Sequence, residues 1–184
     1  NSSIVSTTIF VDRTAPSPPS APNLDDMSDT FGVGTTGTNQ DNITNDDTPT
    51  FSGTAEPNST VTLFANVPVA NTVVGSAPVD QFGNWSITTG SLVAAGLEQT
   101  ISFTARATDA AGNTNPTASA ALPVMIDRKA PTPPPSTPDL DPTSDSGNPS
   151  DNITNDNTPL FRGTTTVTTP LDTNVVTLLN SSSP

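Results

Sequence analysis

TISFTARATD, residues 100–109, puts Ile101, Phe103, Ala105 and Ala107 on one parity and Thr100, Ser102, Thr104, Arg106 and Thr108 on the other. Successive side chains of an extended chain point to opposite faces, so this stretch reads as a strand with one face in a core and the other in water. The same alternation runs through Val61, Leu63 and Ala65, through Trp85, Ile87 and Thr89, and through Ala118, Ala120, Leu122, Val124 and Ile126. Turn formers separate these segments: Glu56-Pro57-Asn58, Gln81-Phe82-Gly83-Asn84 and Asp109-Ala110-Ala111-Gly112-Asn113. About seven short strands at this spacing predict an all-β fold, an antiparallel β-sandwich. Trp85, the single tryptophan, is expected to fill its core.

Composition agrees with many strands and many turns. Apolar residues make up 31% of the 184, and Thr, Ser, Asn, Asp, Gly and Pro fill the gaps between apolar segments. With 5 basic and 18 acidic residues the net charge is -13, which argues against nucleic acid or an anionic membrane surface as partner and favours a cation. No cysteine is present, so neither disulfides nor thiolate metal sites are available to staple the fold. No apolar run approaches the roughly 18 residues of a membrane span, so membrane insertion is not expected. The chain begins Asn1-Ser2-Ser3 with neither an initiator methionine nor a signal peptide, and reads as a piece of something longer.

An internal repeat organises the chain. DNITNDDTP at 41–49 returns as DNITNDNTP at 151–159. Val11-Asp12-Arg13-Thr14-Ala15-Pro16 returns as Ile126-Asp127-Arg128-Lys129-Ala130-Pro131, each copy followed by a Pro-rich connector. Asn23-Leu24-Asp25 matches Asp139-Leu140-Asp141, Ser28-Asp29 matches Ser144-Asp145, and Thr48-Pro49-Thr50-Phe51-Ser52-Gly53 matches Thr158-Pro159-Leu160-Phe161-Arg162-Gly163. The offset is 115 or 116 up to the Ser-Asp pair and 110 after it, so a six-residue length change marks a loop between them. A period near 110 suits beads on a string. Residues 1–14 then read as the last strand of one repeat, 15–131 as a complete repeat, and 132–184 as the start of a third, expected to be irregular unless its missing strands are supplied.

The motifs Asp-Asn-Ile-Thr-Asn-Asp-x-Thr-Pro, Phe-x-Gly-Thr-Ala-Glu-Pro-Asn-Ser-Thr-Val-Thr-Leu-Phe, Phe-Gly-Asn-Trp-Ser-Ile-Thr-Thr and Phe-Thr-Ala-Arg-Ala-Thr-Asp-Ala-Ala-Gly-Asn occur here in that order. Together they resemble the bacterial Ig-like repeats of large, calcium-dependent surface adhesins, many of them exported by type I secretion. The resemblance covers the middle repeat and both flanks. It implies an immunoglobulin-like sandwich and a structural extender at the bacterial cell surface, with calcium at the linkers. It further implies neighbouring repeats of the same chain as partners, an adhesive target bound by another domain, and a role in cell adhesion or biofilm formation. The third repeat departs from the pattern after Gly163, where Thr164-Thr165-Thr166-Val167-Thr168 replaces the Thr-Ala-Glu-Pro turn.

The acids point to a metal independently of that resemblance. Of 16 aspartates, seven lie between Asp12 and Asp47 and six between Asp127 and Asp156, leaving Asp80, Asp109 and Asp172. Carboxylates crowded at two connectors repel one another unless a cation neutralises them. Calcium takes six to eight oxygens from carboxylates, amides and backbone carbonyls. The expected ligands are Asp12, Asp25, Asp29, Asp41 and Asp109 at the first connector, and Asp127, Asp139, Asp141, Asp145 and Asp151 at the second. Asp139 and Asp141, two apart on an extended segment, share a direction and are expected to converge on one ion. In an Ig-like topology Asp109 is expected to face Asp12 across the first linker. The spacing is not that of an EF-hand, since the loop starting at Asp139 has Ser150 where a bidentate Glu belongs. Asp41 and Asp151 also have the local chemistry of Asx turns, which need no metal.

No enzyme is expected. Without histidine or cysteine the usual triads and thiol chemistry are absent, and only Glu56 and Glu98 lie outside the aspartates as acids. An Asp–Asp glycosidase pair is compatible with composition alone, but acids clustered twice at repeat boundaries do not describe one active site. Two other functions fit the same residues: a carbohydrate- or receptor-binding module, which would expose aromatics on a strand face although aromatics are only 4%, and an accessory module of a secreted hydrolase.

Overall fold

The computed structural model describes residues 9–30, 40–130, 135–148, 151–165 and 178, and these divide after Lys129 into two units. The first holds eight strands: β1 (Asn23–Leu24), β2 (Ile43–Thr44), β3 (Thr50–Thr54), β4 (Thr60–Ala65), β5 (Thr72–Pro78), β6 (Asn84–Thr88), β7 (Glu98–Thr108) and β8 (Leu122–Asp127). They form a three-stranded sheet, β1-β3-β6, and a five-stranded sheet, β2-β8-β7-β4-β5. The fold is all-β, as the alternation predicts.

The inward parities close the core between the sheets. Leu24, Phe51, Trp85 and Ile87 come from the three-stranded sheet; Val61, Leu63, Ala65, Ile101, Phe103, Ala105, Ala107, Val124 and Ile126 come from the five-stranded one. Phe51 of β3 and Phe103 of β7 bridge the layers, their ring centroids 4.3 Å apart and tilted by 38°. The expected turns occur where Asn58, Gly83 and Gly112 adopt φ of 64°, 86° and 89°, a region that Gly and Asn enter with least cost.

Gly75 of β5 marks where packing leaves no room for a side chain, because a Cβ there would lie 2.3 Å from Ile87 Cγ2. Gly75→Ala is therefore expected to cost about 1–3 kcal/mol through overpacking, read as a lower urea midpoint in tryptophan fluorescence.

Two expectations are corrected. The sandwich is mixed rather than wholly antiparallel, since β2 pairs with β8 in parallel, Ile43 beside Met125 and Thr44 beside Ile126. The face drawn through Ala118 and Ala120 also fails, because the strand begins only at Leu122 and Ser119, of the opposite parity, is the buried residue. Ser119 turns inward because its Oγ accepts the Ala105 N–H at 2.9 Å while its own N–H donates to the Ala105 carbonyl at 2.9 Å. Two hydrogen bonds outweigh the small area that two alanines would bury.

Residues 9–14, expected to belong to a last strand, carry no strand and expose Ile9, Phe10 and Val11. Residues 1–8 of that expectation lie outside the described residues.

The second unit contains β9 (Asp139–Leu140) and β10 (Phe161–Arg162), paired antiparallel with Leu140 opposite Phe161 and Asp139 opposite Arg162. The register repeats that of β1 and β3, where Leu24 faces Phe51 and Asn23 faces Ser52. Outside this two-residue pairing the described residues up to Thr165 form turns, bends and irregular chain. The rest, apart from Leu178, lies outside them.

Candidate cation-binding clusters

Asp41-Asn42-Ile43-Thr44-Asn45-Asp46 folds around Ser28. Asn42 takes φ of 59°, and Asp41 Oδ1 accepts the Ile43 N–H at 3.0 Å, closing an Asx turn. The buried Thr44 hydroxyl donates to the Ser28 carbonyl at 2.5 Å and accepts the Asp46 N–H at 2.9 Å. Ser28 Oγ donates to Asp46 Oδ2 at 3.0 Å and accepts the Thr50 N–H at 2.9 Å. Asp46 Oδ1 accepts both the N–H and the hydroxyl of Thr48, at 2.9 and 3.1 Å. Short oxygen-bearing side chains thus satisfy the backbone groups that no strand ladder reaches where the chain turns into β3.

The second unit repeats this knot bond for bond. Asp151 Oδ1 accepts the Ile153 N–H at 3.0 Å, Thr154 Oγ1 donates to the Ser144 carbonyl, and Asp156 N–H donates to Thr154 Oγ1 at 2.9 Å. Ser144 Oγ donates to Asp156 Oδ2 at 3.1 Å and accepts the Leu160 N–H at 3.0 Å. Asn152 adopts φ of 56°. The near-identity of the two nine-residue stretches follows from this knot.

The ten predicted ligands fall into several groups. Asp12 and Asp109 line one cleft together with Glu56, and Asn113 Nδ2 donates to the Asp12 carbonyl at 3.3 Å, so the expected approach of those two aspartates occurs. Asp109 is already well supplied with donors: Oδ1 accepts the N–H of Ala111 and of Asn113, and Oδ2 accepts Asn113 Nδ2 at 2.8 Å. That amide, ahead of the backbone N–H groups, holds its carboxyl below the ordinary carboxylate pKa.

Asp25, Asp29 and Asp41 gather elsewhere in the same unit. Asp29 N–H donates to the Asp25 carbonyl at 2.8 Å, and the Asp41 charge acts directly on Asp29. Asp25 Oδ1 accepts the Met27 N–H at 3.2 Å. The Asn42 carbonyl accepts the Met125 N–H, and Met125 faces Thr100 near the start of β7, whereas Asp109 follows its last residue. The two acidic groups therefore lie toward opposite ends of that strand.

Asp127 Oδ1 accepts the Lys129 N–H at 2.9 Å at the end of β8. In the second unit, Asp145 N–H donates to the Asp141 carbonyl at 3.0 Å, repeating the Asp29–Asp25 bond. Asp139 is exposed on β9 while Asp141 is fully buried beyond its end, so the two occupy different environments. Asp141 Oδ1 accepts the Thr143 N–H and hydroxyl at 2.8 and 2.6 Å, and Oδ2 is paired with Arg162 Nε. The Thr143 donors first, and the guanidinium after them, hold the Asp141 carboxyl below its usual range.

Asp29 stands apart. It is 2% exposed; Oδ2 accepts the Asn42 N–H at 3.2 Å, while Oδ1 is buried without a hydrogen-bond partner. Burial, partly offset by the Asn42 N–H and reinforced by the Asp41 charge, raises its pKa above the ordinary value. Its counterpart Asp145 is 9% exposed, and its Oδ1 is likewise buried and partnerless. A buried carboxylate oxygen lacking a donor is costly, and the cost has been incurred twice at equivalent positions.

The cleft at Asp29 is lined by the oxygen-bearing side chains of Asn23, Asp26, Gln40 and Asn42. Among the described residues no group of three or more acidic side chains is arranged to hold a metal ion. The donor set is thus carboxylate mixed with amide, which fits calcium, a hard ion that readily takes neutral oxygens.

Sequence reasoning placed the aspartates but missed Ser28, Thr44 and Asp46 as the frame that orients them. The signal was present in the recurrence of Ser-Asp with Thr-Asn-Asp-x-Thr. Arg162 was missed as a counter-ion because its partner meets it only through the β9–β10 register.

Residues 17–128 match the family model described as "Bacterial Ig-like domain". Among solved structures, a chain described as "Biofilm associated protein - BSP domain" is similar at 22% sequence identity with a TM-score of 0.36, the match covering 62% of this chain and 15% of that one. No curated protein matches.

Proposed function

Because the chain belongs to the bacterial Ig-like domain family, we propose that it is an extender segment of a surface adhesin that binds calcium at the acidic clusters opening its repeats. The observation that carries this reading is the buried, donorless carboxylate oxygen at Asp29, repeated at Asp145. Asp29 and Asp26, with the oxygens of Asn23, Gln40 and Asn42 that line the same cleft, would hold the ion in the first unit. Calcium supplies the positive charge that a chain with 18 acidic and 5 basic residues lacks.

The knot around Ser28 positions Asp29 and Asp41, and metal binding relieves the repulsion between them. Neutralising the charge beside the Pro-rich sequences is the step that would stiffen the array. Outside a cell, calcium then favours an extended array that carries an adhesive domain away from the surface, supporting adhesion or biofilm formation. The aspartates bind and brace, and no catalytic role is assigned to them.

Thermal melting in calcium and in chelator tests this. A ligand that binds only the native state stabilises it by about 2.7 kcal/mol at a hundredfold excess over its Kd, so millimolar calcium is expected to raise the Tm clearly. Asp29→Asn should remove most of that rise while leaving the chelator-treated protein no less stable, since it deletes an unpaired buried charge. Superimposable melts in calcium and chelator would end the proposal. Small-angle scattering on the same samples reads the stiffening, and an unchanged maximum dimension counts against it.

A further inference from the structure

The two knots are equivalent, but the charges around them differ at four positions: Asp139, Pro142, Asn157 and Arg162 stand where the first unit has Asn23, Asp26, Asp47 and Ser52. Ser52 lies opposite Asn23 in the β1–β3 pair, and Arg162 occupies the corresponding place opposite Asp139 in the β9–β10 pair. In the first unit Asp25 is half-buried, and the salt bridge among that unit's described residues joins Arg128 to Asp47, so no basic side chain bridges Asp25. In the second unit the matching Asp141 is fully buried and bridged by Arg162. One chain thus presents two related acidic clusters, and at the matched aspartates Asp25 and Asp141 only the second has a bridging cation.

We infer that Arg162 is a built-in counter-ion that takes over part of the metal's role at the Asp141–Asp145 cluster, so that the two clusters of one chain differ in calcium affinity. The inference rests on the calcium-binding reading above and adds to it a residue that sets part of the difference. Calcium affinity follows the number of ligand charges and the rigidity of the site. Arg162 neutralises Asp141 and ties its carboxylate to β10, reducing the charge available to an ion at Asp145 and opposing reorientation of Asp141. The Asp29 cluster has Ser52 in that place, so Asp25 keeps its charge, and Asp26 adds a carboxylate where the second unit has Pro142. Calcium at moderate concentration therefore loads the first cluster ahead of the second.

Calorimetric titration of the whole chain with calcium chloride tests this, with Asp29→Asn and Asp145→Asn identifying which binding event belongs to which cluster. The Asp145 event is expected to be weaker than the Asp29 event by about tenfold or more. Arg162→Ser should tighten it toward the Asp29 value, Arg162→Lys should leave it weak because the charge is retained, and Ser52→Arg should weaken the Asp29 event. Circular dichroism confirms that each variant remains folded. If Arg162→Ser and Arg162→Lys bind alike, or Arg162→Ser leaves the Asp145 event unchanged, the assignment of Arg162 is wrong while calcium binding stands. Absence of binding heat in every chain overturns the calcium reading itself.

Discussion

Phe103→Ala is expected to lower the stability of the first unit by about 3–5 kcal/mol, the largest effect of any single truncation considered for this chain. Phe103 is fully buried in β7, and its ring meets Phe51 of β3 across the sandwich at 4.3 Å between centroids. Truncation removes the apolar transfer term, leaves a cavity between two sheets that cannot collapse without shifting β3 against β7, and strips the ring contact from Phe51. A domain of this size commonly has only about 5–15 kcal/mol of stability, so the variant should sit near its unfolding threshold at ambient temperature. Trp85 is the single tryptophan and lies in the same core, which makes its fluorescence during urea denaturation a direct readout. A midpoint within error of the parent would mean that the two aromatic rings do not bridge the layers.

The second large effect belongs to Thr44, where Thr44→Val keeps the shape and replaces the hydroxyl by a methyl. That hydroxyl is buried and serves both the Ser28 carbonyl and the Asp46 N–H. Its removal leaves two polar backbone groups without their partners and is expected to cost about 3 kcal/mol. Thr44→Ser retains the hydroxyl and loses only a methyl, at about 1 kcal/mol. Equal urea midpoints for the two variants would show that the knot contributes shape but little stability. The cost also bears on the proposed metal site, since the knot presents Asp41 and Asn42 to Asp29. Thr44→Val should therefore weaken calcium binding more than Phe103→Ala, which removes no hydrogen bond from the knot, while the unit remains folded.

Much of the fold was legible because its long strands obey one rule. On β7 every second residue from Ile101 to Ala107 is buried, and on β4 Val61, Leu63 and Ala65 are buried. The rule failed where polar chemistry overrode hydrophobic parity, at Ser119, whose two hydrogen bonds to Ala105 turn it inward. It also gave no information about β2, whose two residues carry too little pattern to show that they lie parallel to β8. The aspartates were legible as clusters for a different reason: a repeat with a constant offset marks them twice. Their individual environments were not legible. Asp139 and Asp141 have the same spacing in sequence as many ligand pairs, yet one is exposed and the other is buried against Arg162.

The sequence by itself determined the all-β class, the repeat, the inward face of the long strands and the crowding of acids at the repeat openings. These depend on local periodicity and composition, which survive in any extended chain. Tertiary structure alone decided which carboxylate oxygens lost their water and their donors. Burial and ion pairing arise when segments distant in sequence are brought together by strand register. In that way Asp29 Oδ1 and Asp145 Oδ1 became partnerless, Asp109 met Asp12, and Asp141 acquired an arginine that its counterpart Asp25 lacks.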